Sequence, residues 1–158
     1  MIEYSAPGKA VVWGEYAVLE GAPALVMAVN RYATAQIQPA DDRWHLTSRG
    51  YESTANLSVS ELVAASAAES EGLTGLIRAV ISALGDPDLP AGADVHTDTR
   101  HFHSQDRNSQ KLGIGSSAAI CTAASAAIAE FLDEPFDASV PLAAHRLLQG
   151  KAGSGLDV

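Results

Sequence analysis

The densest concentration of chemically useful residues is Lys111-Leu112-Gly113-Ile114-Gly115-Ser116-Ser117-Ala118-Ala119. Gly113 and Gly115 permit backbone dihedrals and close approaches that a Cβ would forbid. Ser116 and Ser117 supply hydroxyls and a natural helix N-cap. From Ala118 to Leu132 the apolar residues Ile120, Ala124, Ile128, Phe131 and Leu132 recur at three- and four-residue steps, which predicts a helix. A helix start carries unpaired N–H groups and partial positive charge, so a glycine turn that opens a helix suits a phosphate. The same pattern also suits a plain turn feeding a buried, alanine-rich helix.

Three further places carry possible chemistry. Lys9 follows Pro7-Gly8 between two apolar stretches, where its stem can pack and its ammonium can point into a cleft. There it could serve a transferring phosphoryl group, or be an ordinary hairpin lysine. Glu15 and Tyr16 follow Gly14 in a second turn, where Glu15 could orient Lys9 or a substrate hydroxyl, or simply be solvated. Lys151-Ala152-Gly153-Ser154-Gly155-Leu156-Asp157 is another glycine-serine turn, and its Asp157 could accept a proton or hold a metal. Alone, Gly-Ser-Gly is also the signature of a flexible loop. His96, His101 and His103 lie on or near one predicted strand, but only Asp98 joins them in register, so they read as a solvated strand end.

The elements that must position these residues follow from periodicity. Ile2 to Pro7 and Val11 to Trp13 read as short strands separated by the Pro-Gly turn. Ala24 to Val29 reads as a buried strand, Tyr32 to Gln38 as a half-buried one, and Trp44 to Thr47 as another. Residues 51–72 have a high polar load and no clear boundaries, although Leu62, Val63, Ala65 and Ala68 could share a helix. Thr74 is placed to cap a helix with an apolar stripe of Leu76, Ile77, Val80, Ile81 and Leu84, ended by Gly85 and Pro87. Ala93 to Asp98 alternates as a strand, and Thr99 to Gln110 reads as a loop into the glycine stretch. Ser139 is placed to cap a last helix, with Pro141 in its first turn and Gly150 at its end.

The chain has 158 residues, about one domain, and its 47% hydrophobic content suffices for a core. A formal net charge of −9, from 10 basic and 19 acidic residues, argues against nucleic acid or an anionic membrane as partner. Backbone amides, a few placed cations and Mg²⁺ can still bind phosphates locally. Cys121 is the single cysteine, so no disulfide can form within one chain, and a reducing, cytoplasmic setting is expected. No signal peptide or bilayer-spanning stretch is read in the sequence.

Taken in order, Ser5-Ala6-Pro7-Gly8-Lys9, Gly14-Glu15-Tyr16-Ala17-Val18, Gly113-Ile114-Gly115-Ser116-Ser117-Ala118-Ala119 and Gly153-Ser154-Gly155-Leu156-Asp157 resemble the GHMP kinases. That family includes galactokinase, homoserine kinase, mevalonate kinase and phosphomevalonate kinase. Lys111, and Ala144-His145-Arg146 followed by Gln149-Gly150-Lys151, resemble the phosphomevalonate branch. The resemblance implies an α+β fold of the family's N-terminal type, a sheet layer and helices spanning residues 1–158, with a second half completing the substrate cleft. It implies ATP and Mg²⁺ as cofactors and a small acceptor: phosphomevalonate, or else mevalonate, homoserine or a sugar. The backbone from Gly113 to Ser117, bordered by Lys111 and Ala118, would cradle the ATP phosphates. Ser117, alone or with Ser116, would face Mg²⁺. Lys9 and Asp157 would flank the reacting centre, with Glu15, Tyr16 and Ser154 toward the substrate. Asn30 and Arg31 could also line the acceptor side.

Two departures accompany the resemblance. Mevalonate kinases place a metal-holding glutamate on the helix before the aspartate loop, whereas this chain has His145-Arg146-Leu147-Leu148 there. Family members also run well beyond the position of Asp157. The expectation is therefore an N-terminal portion, either inactive alone or a non-catalytic nucleotide-binding module. An uncovered apolar surface could make it self-associate.

Overall fold

The computed structural model of the chain describes residues 1–50, 53–70, 72–104 and 110–149. Strands β1 (Ile2–Trp13), β2 (Leu25–Ala40), β3 (Trp44–Arg49), β4 (Ser53–Leu57) and β5 (Gly92–Asp98) form one sheet in the order β1-β2-β5-β3-β4. The β3–β5 pair is parallel and the other pairs are antiparallel. Register explains why one face is dry. Ala6 pairs with Ala33, Ala35 with Thr97, Ile37 with Val95, and Leu46 with Val95, all of them buried. The opposite face carries Glu3, Gln36, His96, Thr47 and Thr54 at mutually paired positions. A period of two thus turns each strand's apolar set toward a single layer of helices.

That layer contains α2 (Gly72–Ala83), α3 (Ser116–Phe131) and α4 (Ser139–Gln149), with a short α1 (Val59–Ala64) beside them. The α3 helix packs on β1 and β2, while α2 contacts β3 and β4, and α4 contacts both α2 and α3. Ala118, Ala119, Cys121 and Ala123 to Ala129 of α3 are buried nearly all round. Such a helix belongs in an interior, and alanine lets it approach its neighbours closely while losing no side-chain entropy.

Cys121 illustrates the packing. Burial pushes its thiol up from 9.0 to about 12, which the nearby Ser125 hydroxyl offsets only in part. The folded state therefore holds this proton more tightly than the unfolded chain does. Its contribution to stability is complete below about pH 9 and is lost as pH rises toward 12. In the folded protein Cys121 should resist iodoacetamide at pH 8 and react once urea unfolds the chain. Rapid labelling of the native protein, read by mass spectrometry, would contradict the packing of α3.

Several sequence expectations are corrected. The two N-terminal stretches are one strand: pairing passes through Pro7-Gly8 with a bulge, because a proline is tolerated on an edge strand. The predicted buried strand Ala24–Val29 is a strand from Leu25, yet Leu25, Val26 and Met27 are exposed. The cause is that β5 pairs with β2 only from Thr34 onward, so the hairpin tip projects beyond the sheet. The 51–72 region holds strand β4 as well as α1, which begins with a Ser58–Glu61 capping box. Helix α2 already runs from Gly72, so Thr74 lies inside its first turn. Ser139 is the first residue of α4 rather than its cap, and the Asp137 carboxylate accepts its N–H at 2.7 Å. The 99–110 segment contains a 3-10 turn, Arg100–Phe102. Gly150, expected to end α4, lies outside the described residues.

Candidate active site

Residues 102–104 and 110–115 bring the glycine turn to the open edge of the sheet. Phe102 is fully buried, and its carbonyl accepts the Leu112 N–H at 2.9 Å. His103 and Lys111 form an isolated antiparallel bridge, and the Ser104 N–H donates to the Gln110 carbonyl at 2.8 Å. The turn then reaches β1, where the Lys9 N–H donates to the Ile114 carbonyl at 2.9 Å. An edge strand has such donors to spare, and here one holds the glycine turn in place.

Gly8 makes the approach possible. A Cβ there would lie 2.7 Å from the Ile114 oxygen and 2.7 Å from Phe102 Cε1. Gly8→Ala is therefore expected to cost about 1–3 kcal/mol, and to weaken nucleotide binding because the strand or the turn must move. Urea unfolding and an ATP titration test this, and unchanged stability would mean the two backbones are not in contact as described. On the facing strand, Pro7 pairs with Tyr32 and Gly8 with Val29, which leaves Asn30 and Arg31 as the residues of the bulge.

The same contact brings Lys9 to the glycine turn. A Cβ built on Gly115 would sit 3.1 Å from Lys9 Cγ and 3.4 Å from Cε, so the lysine stem lies along this residue. Gly115 has φ +77° and is the N-cap of α3, with no side-chain hydrogen bond capping the helix. The expectation that Ser116 and Ser117 cap the helix is thus corrected. Both lie in its first turn, because the left-handed turn at Gly115 closes the helix entry one residue earlier. Their hydroxyls are not used on the cap, and the first amides of the helix remain available to an anion.

A cleft of about 250 Å³ opens on the same helix start. Ser48, Thr97, Thr99, Ser116 and Ser117 give it a hydroxyl-bearing wall, and Leu76, Ile120 and Leu148 an apolar one. Sequence reasoning missed Ser48, Thr97 and Thr99, although the i, i+2 spacing of Thr97 and Thr99 was a usable signal for a shared face. It also assigned no contact to His145, which is buried on α4 with Nε2 3.4 Å from Ser117 Oγ.

The other candidates are distributed as follows. Lys111 is exposed on the bridge before the turn, Ala118 is buried in α3, and Gly113 has φ +70°. Glu15 and Tyr16 are exposed after Gly14, near the tip of the β1–β2 hairpin, and no Glu15–Lys9 ion pair is present among the described residues. Ser154 and Asp157 lie outside the described residues. His96 Nδ1 is 2.9 Å from Thr47 Oγ1 on the polar sheet face. Among the described residues no group of three or more His, Cys, Asp or Glu is arranged to hold a metal. None of their helices is long and apolar enough to cross a membrane.

No family model matches the chain. No curated protein matches it either. Solved structures do. The mevalonate kinase of Methanococcus jannaschii is 20% identical, with a TM-score of 0.80 over 97% of this chain and 48% of its own. The phosphomevalonate kinase of Streptococcus pneumoniae, in complex with phosphomevalonate and AMPPNP, is 21% identical, with a TM-score of 0.72 over 99% of this chain and 46% of its own. The galactokinase of Lactococcus lactis, complexed with galactose, is 13% identical, with a TM-score of 0.74 over 98% of this chain and 40% of its own. The expected α+β architecture is thus found, and its structural neighbours are GHMP-type kinases. The chain spans about half the length of these proteins or less.

Proposed function

We propose that the chain is the nucleotide-binding, N-terminal portion of a GHMP-type kinase that transfers the γ-phosphoryl group of ATP to phosphomevalonate. The observation that carries this is the meeting of the Lys9 stem with Gly115 at an uncapped helix start. The Lys9 stem, the first amides of α3 and the Ser116 and Ser117 hydroxyls are neighbours there, and the two serines also line a cleft with polar and apolar walls. Phosphoryl transfer asks chiefly for positioning and charge neutralisation, which these groups supply.

In this reading the amides from Gly113 to Ser117 hold the phosphates, with Lys111, Ile114 and Ala118 shaping the approach. The cleft takes the nucleoside. Mg²⁺ would come as a companion of the phosphates: it keeps several waters and binds substrate phosphates beside one or two carboxylates. Ser117 would add a hydroxyl oxygen to that shell, and the bound ion would neutralise phosphate charge. Lys9 and Asp157 flank the transferring group, and Glu15, Tyr16 and Ser154 face the acceptor. A phosphate monoester has a second pKa of about 6 and is largely a dianion at neutral pH. Such an acceptor needs cations more than a base.

The test is an acceptor panel with the full-length protein, following ADP release with phosphomevalonate, mevalonate, homoserine and galactose. Turnover with phosphomevalonate alone supports the assignment. Turnover with another acceptor moves the protein elsewhere among these kinases, and absence of any ATP binding overturns the reading. Mevalonate is the second reading, favoured by the higher TM-score of the mevalonate kinase match.

A further inference from the structure

Helix α4 has no acidic side chain near the start of α3; it offers a histidine instead. His145 is 6% exposed. Its Nε2 stands 3.4 Å from Ser117 Oγ and 3.3 Å from Gln149 Nε2. An amide nitrogen can only donate, so with Gln149 in this orientation His145 Nε2 accepts and carries no hydrogen. In that tautomer the Ser117 hydroxyl is the donor in its contact with Nε2, and it shares the single Nε2 lone pair with Gln149. Its single hydroxyl proton is committed to the protein, and its oxygen lone pairs are left for a ligand. A phosphate oxygen, itself an acceptor, gains nothing from those lone pairs, whereas a divalent cation does.

We propose that His145 is a positioning residue: by taking the Ser117 hydroxyl proton, it aims the Ser117 oxygen at a divalent cation carried by the nucleotide. The assignment rests on the kinase reading above and adds to it a residue that touches neither nucleotide nor acceptor. It also separates the two serines. Ser116 is buried in the cleft wall, and Ser117 is the one held by His145.

The test uses calorimetric titration of the full-length protein with ATP in EDTA and with ATP in Mg²⁺. The readout is the gain in affinity that the metal confers. His145→Leu fills the space without an acceptor and should shrink that gain by about tenfold, the worth of one hydrogen bond, while metal-free ATP binds as before. His145→Gln, whose amide oxygen can reach the position of Nε2, should restore most of the gain, and the shorter His145→Asn should not. With Ser117→Ala in place, the substitutions at 145 should no longer change it. Should His145→Leu fail to fold, the Gln and Asn variants and the exposed Ser117→Ala carry the comparison.

The proposal is overturned if His145→Leu keeps the metal-dependent gain, if it weakens metal-free and metal-bound ATP equally, or if His145→Gln rescues nothing. Wild-type protein that binds ATP with no gain from Mg²⁺ overturns this proposal and leaves the nucleotide site standing. Wild-type protein that binds no ATP overturns both.

Discussion

On the proposed kinase reading, replacing Lys9 by methionine is expected to lower turnover of the full-length protein by about 10²- to 10³-fold, the usual effect of removing one donor from a developing phosphoryl or oxyanion charge. Methionine is the informative choice because the lysine stem lies along Gly115. A substitution that keeps that packing isolates the ammonium. Its thermal midpoint should stay close to that of the wild type, while Lys9→Ala adds a packing loss. The comparison with Asp157→Asn then distinguishes acceptors. With a phosphate monoester, already largely ionised, losing the cation should cost far more than losing the carboxylate. With a hydroxyl acceptor the carboxylate has a proton to remove, and the order narrows or reverses. Equal losses at saturating phosphomevalonate, followed by ADP release, would count against the phosphomevalonate assignment.

The largest stability effect is expected at Trp44. Its side chain is fully buried where β3 begins, packed edge-on against Phe131 with ring centroids 6.2 Å apart. The indole N–H donates to the Pro90 carbonyl at 3.2 Å. One residue thus joins the sheet, the end of α3 and the segment leading into β5. Trp44→Ala should cost about 3–5 kcal/mol in urea unfolding. Trp44→Phe keeps a ring against Phe131 but loses the hydrogen bond to the Pro90 carbonyl, and should cost less. A loss below about 1 kcal/mol for the alanine variant would mean that β3 and α3 do not share a core at this point.

Much of this architecture was legible in local pattern. Ala33, Ala35 and Ile37 alternate inward as the sequence suggests, and the stripe from Leu76 to Ile81 is buried on α2. What was not legible depended on neighbours. Pro7-Gly8 has the chemistry of a turn, and only the presence of β2 keeps the strand running through it. Ser53–Leu57 is a short edge strand whose alternation rests on Ala55 and Leu57 alone, too brief a signal to stand out without its pairing with β3. Leu25 to Met27 look like core because they are apolar, but exposure depends on where β5 stops. At the site, glycine and serine types announced the helix start. The contact of Lys9 with Gly115 joins residues over a hundred positions apart, and the approach of His145 to Ser117 depends on how α4 packs. No local spacing encodes either.

The alanine surface of α3 has a mechanical consequence. A helix that meets its sheet largely through methyl groups, with Ile128 and Phe131 as long side chains toward its far end, has few rotamers to change near its start and resists sliding or rolling there. Its axis is seated by close packing of small side chains, like a rod in a close-fitting sleeve. Vibration at its leading turn should be correspondingly small. A charged ligand arriving there would meet amides already held in their final directions, and little freedom would be lost in organising them.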